Sequence, residues 1–207
     1  MKFYLSSFKF GNETDKLKSM VPENNKIGYI PNAIDAIKGD KELLLKHYNE
    51  QISQLNDLGF VAELLDLKDY FNKENELRIK LNSLGSVWVQ GGNTFVLRQA
   101  MKLSGFDIIF KELQKRKDFL YGGYSAGICV LSKSLKALHI VDKPNEFPYL
   151  EIKETLWDGL GFFNEIILPH YNSDHPESKD IDKTITYCTE TNELFLALRD
   201  GEVIIIE

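Results

Sequence analysis

Cysteine is scarce in this chain: Cys129 and Cys188 stand far apart, with no CxxC spacing. That usage gives no disulfide framework and suits reduced thiols, so a cytoplasmic protein is expected. Long apolar runs are missing too. No segment approaches the ~20 consecutive apolar residues that a membrane helix needs, and no membrane partner is expected. The first residues, MKFYLSSFKFGNETDK, carry only a short apolar patch with charges close behind, unlike the apolar core and small-residue cleavage site of a signal peptide. Positive charge is not in excess: 25 Lys and Arg against 31 Asp and Glu leave a net charge of -6. Nucleic acid, which calls for concentrated Lys and Arg, is therefore not expected as the main partner. The basic stretch KELQKRK at 111–117 is interleaved with helix formers and reads as a solvated face. There is no GxGxxG, no GK[ST] and no HExxH, so dinucleotide, P-loop and zincin chemistry have no motif here. No cofactor is implied.

What is present is an ordinary globular composition, 43% hydrophobic and 27% charged, over a length that suits one domain spanning 1–207. Short β-rich runs alternate with helical patterns, the signature of parallel strands joined by crossover helices. The expected strands are KFYLSS, KIGYIP, FVAELLDL, SVWVQG, DFLYGG, EIILPHY, ELFLALR and EVIIIE. Helices are expected over 40–59, with apolar residues at spacings of three and four and a glycine stop, over 93–105 and over 107–117. Asp200-Gly201 sits between the last two apolar runs, a strong hairpin signal, so the fold expected is α/β with a mostly parallel sheet, helices on both faces and a closing β-hairpin. Segments 139–149 and 172–180 are polar, contain proline and read as loops. Apolar helix faces serve core and interface equally, so no oligomeric state is read.

Gly123-Tyr124-Ser125-Ala126-Gly127 fits G-x-S-x-G, the nucleophile elbow, in which a sharp strand-to-helix turn presents a serine hydroxyl over the end of a sheet. An apolar run leads in, and ICVLSKSL is expected to continue as a helix. In that setting the Ala126 amide points at an oxyanion. One βα unit earlier, Gln90-Gly91-Gly92-Asn93-Thr94 places two bare glycines after a strand, a suitable second half for an oxyanion hole. A serine nucleophile needs a base, and of four histidines His170 stands where an apolar strand stops at Pro169. His47 reads as structural, His139 as a loop residue. His170 and His175 with Asp174 match no recognised metal spacing, and no metal is expected. The carboxylate that orients the base has four candidates: Asp142, Asp158, Asp174 and Asp200. Cys129, one helical turn beyond the serine, reads as a small buried hydrophobe.

With GGYSAG, QGGNTF and LPHY in this order, the chain resembles the dipeptidase E (α-aspartyl dipeptidase) family of serine peptidases over its whole length. The resemblance implies a flavodoxin-like, class I glutamine amidotransferase-like fold and a short peptide as substrate. It implies Ser125 as nucleophile, His170 as base and Asp200, in the late LRDG turn, as the third member, in an order unlike the Ser, acid, His of α/β-hydrolases. It implies the glycines of the Gly91-Gly92-Asn93 turn and the Ala126 amide as oxyanion donors, with Tyr124 as a pocket wall. Asp-X enzymes of this family hold the substrate carboxylate with a basic residue beyond the histidine. Here that stretch offers Lys179 and Lys183 but no arginine, among Asp174, Glu177, Asp180 and Asp182. The other readings of the same residues are a non-peptidase esterase or amidase on this scaffold, and a binding protein without turnover.

Overall fold

A computed structural model describes residues 1–207. The strands are β1 (Lys2–Ser6), β2 (Lys26–Ile30), β3 (Val61–Leu64), β4 (Ser86–Val89), β5 (Leu120–Tyr124), β6 (Ile166–Leu168), β7 (Phe195–Ala197) and β8 (Val203–Ile206). The helices are α1 (Thr14–Ser19), α2 (Lys41–Asp57), α3 (Glu74–Asn82), α4 (Thr94–Ser104), α5 (Phe106–Leu113), α6 (Ala126–Cys129) and α7 (Ser178–Thr191). Six strands form the main sheet in the order β3-β2-β4-β5-β1-β8, all parallel except β8, which runs antiparallel to β1. β6 and β7 form a separate parallel pair.

Alternation along the strands explains the layers, because successive side chains point to opposite faces. On one face Phe3, Leu5, Val87, Val89 and Tyr121 pack under α3, α4 and α5, through Leu77, Leu81, Val96, Ala100, Phe106 and Phe110. On the other, Tyr4, Ile27, Tyr29, Trp88 and Leu120 pack under α1 and α2, through Leu17, Tyr48 and Leu55. The sheet is thus covered on both faces, as parallel strands require. Asn93 caps α4 by accepting from the Phe95 and Val96 amides at 2.8 and 3.2 Å, and Gly105 closes it in the left-handed conformation, at φ 77°.

Three expectations need correction. The closing β-hairpin does not form: Gly201 turns the chain at φ 96°, but β7 pairs with β6 and β8 with β1. Each strand finds an unsatisfied neighbour elsewhere, β8 covering the outer edge of β1, and a turn preference cannot outweigh a ladder of backbone bonds. ICVLSKSL is not a helix: α6 stops at Cys129, and Val130–Leu135 runs irregularly against 157–163 through bonds such as Phe162 N–H to Leu131 O at 2.8 Å. Residues 128–132 are all buried, so no polar face was left for a surface helix. Finally, the loop expected over 172–180 ends in the first turn of α7.

Candidate active site

The C-terminal ends of β1, β5, β6 and β7 meet at one place, the usual position for function in open α/β sheets. β5 delivers Ser125, whose backbone sits at φ 49°, ψ -119°, a sparsely populated region for a residue with a side chain. The turn is tight because α6 returns against β4: a Cβ on Gly127 would lie 2.3 Å from the Val89 carbonyl oxygen. Ser125 N–H donates to Ser7 O at 3.2 Å, which ties the elbow to the residue after β1.

β6 and β7 run side by side in register, Leu168 opposite Ala197, so the residues that follow them emerge together. His170 follows β6 beyond Pro169, itself at φ 61° and fully buried. Asp200 follows β7. Its Oδ1 accepts from His170 Nδ1 at 2.7 Å, and because a carboxylate only accepts, that bond puts the ring proton on Nδ1 and leaves the Nε2 lone pair free. Nε2 is buried and has no hydrogen-bond partner. Burial holds this imidazole below its usual range, Asp200 pulls it upward and His175 pushes it down again.

Ser7 joins the parts. Its hydroxyl donates to Asp200 Oδ1 at 2.9 Å and accepts from the His170 amide at 2.9 Å, while its carbonyl holds Ser125 N–H. Phe8 stands edge-on to Tyr124, His170 and His175, with ring centroids 6.3, 5.7 and 5.4 Å away. Sequence reading passed over Ser7 and Phe8. The available signal was their position at the end of the first parallel strand.

The glycine turn after β4 lies directly on the elbow. A Cβ at Gly91 would come within 2.9 Å of Ser125 Cβ and 2.8 Å of the Tyr124 ring. The amide of Gly92 donates to no backbone carbonyl, that of Gly91 faces the Tyr124 phenol, and Ala126 N–H, in the first turn of α6, has no intrahelical acceptor. The Asn93 side chain is occupied, capping α4 and donating to Lys143 O and Glu146 Oε2, each at 3.0 Å. Tyr124 borders the same turn, and burial pushes its phenol up to about 12.

Of the four carboxylates considered, only Asp200 reaches a histidine. Asp142 accepts from the Thr94 amide at 2.8 Å, capping α4, and its burial raises it to about 6. Asp158 and Asp174 are exposed. Cys129 is buried with its Sγ 3.3 Å from Ile167 O, and burial pushes the thiol far up. His47 Nε2 pairs with Gln90 Oε1 at 3.1 Å, and His139 Nδ1 lies 2.6 Å from Lys136 O.

His175, set aside as a loop residue, stacks on His170 at 3.7 Å between centroids and 11° between planes. Glu177, at the start of α7, has its Oε2 3.9 Å from His170 Nε2 and 3.8 Å from His175 Nδ1. Ligating atoms of His170, His175 and Glu177 lie within 4.8 Å of one another. Stacked imidazoles point their lone pairs along parallel planes, however, so the two rings do not converge on one ion as they stand.

Residues 6–207 match the profile of peptidase family S51. The chain belongs to this family. Among curated relatives, the uncharacterized peptidase Lmo0363 of Listeria monocytogenes serovar 1/2a is 32% identical over 120 residues, 58% of this chain and 55% of that protein. The uncharacterized peptidase Lin0382 of Listeria innocua serovar 6a is 33% identical over 126 residues, 57% of each chain. The matched region thus spans about half the length of these curated relatives. Among solved structures, a candidate peptidase E protein from Listeria monocytogenes EGD-e superposes with a TM-score of 0.78 at 24% identity, covering 99% of this chain and 93% of that one. A peptidase from an acI-B1 Actinobacterium gives a TM-score of 0.68 at 16% identity, covering 100% and 83%. These likenesses establish the S51 fold. No helix is long and apolar enough to cross a membrane.

Proposed function

We propose that this S51 member is a serine peptidase acting on short peptides, a dipeptidase in its simplest form, through Ser125, His170 and Asp200. The observation that carries the reading is the His170 Nδ1 to Asp200 bond of 2.7 Å, with Ser7 holding both residues and the elbow. Ser125 Oγ attacks the peptide carbonyl carbon, and His170 Nε2 takes its proton. Asp200 stabilises the imidazolium that forms. The amides of Gly92 and Ala126 receive the oxyanion. The tetrahedral intermediate collapses to an acyl-enzyme as His170 returns the proton to the leaving amine, and water then repeats the cycle. In the free enzyme Nε2 has no partner, which fits a base whose hydrogen bond tightens only when substrate is bound.

The family resemblance also brings Asp-X peptides into view. Arg78, Arg98 and Arg116 pair with carboxylates on their own elements or neighbours, while Arg199 is exposed and directly precedes Asp200. Asp-X cleavage would rest on Arg199 or on Lys179 or Lys183, among the carboxylates of that stretch, and a broader short-peptide range is the reading we favour.

The test is mass-spectrometric: a mixture of dipeptides and tripeptides, Asp-X species included, incubated with wild type and with Ser125→Ala. Cleavage by wild type alone is expected. Cleavage by both would remove Ser125 from the mechanism, and cleavage by neither would favour a non-peptidase substrate or a binding protein.

A further inference from the structure

The Gly92 amide, one of the two donors assigned to the oxyanion, leans on another stretch of main chain. Gly92 stands at φ 143°, and a Cβ there would lie 2.6 Å from the Ala33 carbonyl oxygen and 2.9 Å from Ile34 Cγ2. The next amide, Asn93 N–H, donates to that same Ala33 oxygen at 2.8 Å. The segment after β2 therefore sets where the donor stands. That segment is a single 3₁₀ turn, Asn32–Ile34, too short to hold its own shape. Asp35 N–H reaches Asn32 O only at 3.4 Å.

Side chains hold the turn instead. Asn32, fully buried, donates from Nδ2 to Asp35 Oδ2 at 2.7 Å and to Asp66 Oδ1 at 2.8 Å, while its Oδ1 accepts from the Leu67 amide at 3.0 Å. The Asp35 side chain is 4% exposed. It also accepts from the Tyr149 hydroxyl at 2.5 Å and from Lys68 Nζ at 2.6 Å. Lys68 reaches Asp66 at 3.2 Å as well, and the Tyr149 ring packs edge-on against Phe71, with centroids 5.0 Å apart. We propose that Asp35 is a positioning residue for the oxyanion hole: through Asn32 and Tyr149 it fixes the turn at 32–34, and through Ala33 it fixes the Gly92 amide.

This rests on the serine-hydrolase reading and adds the support behind one of its donors. Stability alone does not call for such a network, since well-packed apolar residues of similar volume often serve as well as a buried ion pair. What directional bonds add is a single fixed geometry. An oxyanion donor works only about 2.7–3.1 Å from the position that the oxygen takes in the transition state. A retreat of Ala33 would draw Gly92 and Asn93 with it and lengthen that contact. The neighbouring attachment, Gln90 N–H to Ile30 O at 3.0 Å, lies before the turn and does not hold Ala33. The Ala126 amide belongs to the elbow and keeps its place, so part of the rate survives.

The experiment compares wild type with Asp35→Ala, Asp35→Asn and Tyr149→Phe on the peptides consumed in the screen. Active serines are counted by fluorophosphonate labelling, so that misfolded protein does not enter the rate. Asp35→Ala should lower kcat per active serine about ten- to a hundredfold and change KM less than about threefold. A peptide aldehyde, which forms a hemiacetal on Ser125, should lose affinity by the same factor as kcat/KM. Tyr149→Phe, which removes one hydroxyl and keeps the ring, should lower kcat about three- to tenfold. Asp35→Asn keeps an acceptor for Asn32 and Tyr149 and should stay within about threefold of wild type. A loss confined to KM or to the number of active serines, or an asparagine variant as poor as the alanine one, would overturn the proposal while leaving the nucleophile intact. Should wild type cleave no peptide, amide hydrogen exchange followed by NMR decides the matter separately. Asn93 N–H should exchange at least about tenfold faster in Asp35→Ala, with the amides of β4 unchanged. Unchanged protection at Asn93, or an equal loss along β4, removes the positioning role.

Discussion

The backbone amide of His170 donates to the hydroxyl of Ser7 at 2.9 Å, across 163 positions of sequence. The same hydroxyl donates to Asp200, and the carbonyl of the same residue holds Ser125. One small residue after β1 therefore sets the mutual positions of three chain segments that reach the site separately.

Ser7→Ala keeps the carbonyl contact and removes the hydroxyl's bonds to Asp200, to Leu198 O and from the His170 amide. It leaves a buried His170 N–H without a partner, at a cost of about 1–3 kcal/mol in stability. A small misplacement of the reacting groups should lower kcat on the order of a hundredfold, with KM changed little. Steady-state kinetics together with thermal unfolding separate the two effects. An unchanged kcat would show that Ser7 only supports the fold.

Ser125 holds its strained backbone at φ 49°, ψ -119°. Such a conformation costs on the order of 1–3 kcal/mol for a residue with a Cβ, whereas glycine adopts it freely at an entropic cost of about 0.5–1 kcal/mol. Ser125→Gly should therefore abolish turnover and raise the unfolding midpoint. A midpoint below that of wild type would contradict the strain argument.

His170 must be neutral to accept a proton, and its imidazole is held below the ordinary value of 6.5. The acid limb of kcat/KM should then lie below pH 6.5, with a plateau at neutrality. Asp200 acts to raise that imidazole, so in Asp200→Asn the limb should move to lower pH while kcat falls by on the order of 10⁴. A loss of only a few-fold would take Asp200 out of the mechanism.

Asp142 is raised from 3.8 to about 6 by burial. Its folded value lies above its unfolded one, so the native state binds the proton more tightly and stability falls as pH rises between those two values. Asp142→Asn can still accept from the Thr94 amide without the buried charge. It should stabilise the protein at pH 8 by on the order of 1–3 kcal/mol and have little effect at pH 4. Denaturant unfolding at the two pH values measures it, and equal effects at both would refute the assignment.

Much of the frame was legible in the sequence because it is local. Asn93 caps α4 and Gly105 ends it whatever surrounds them, and G-x-S-x-G after an apolar run describes a turn made by its own backbone. The parallel alternation of strands and helices followed from period and punctuation alone. α7 was missed although Ile181, Thr184 and Cys188 repeat at helical spacing, since two of those buried positions are not strongly apolar.

Which distant segments meet was decided only in three dimensions. Asp200-Gly201 specifies a turn, but not which strands its flanks will pair with, and long-range ladders join β7 to β6 and β8 to β1. That division brings Asp200 beside His170. Asp142, the nearer carboxylate in sequence, is turned instead toward the start of α4. Ser7 carries no motif, since a hydroxyl acquires its role from the groups packed against it. The sequence by itself determined the strand-helix frame and the nucleophile-elbow motif, through backbone preferences acting over a few residues. The tertiary structure alone decided the neighbours of the serine and histidine, because long-range strand pairing and burial depend on the whole chain.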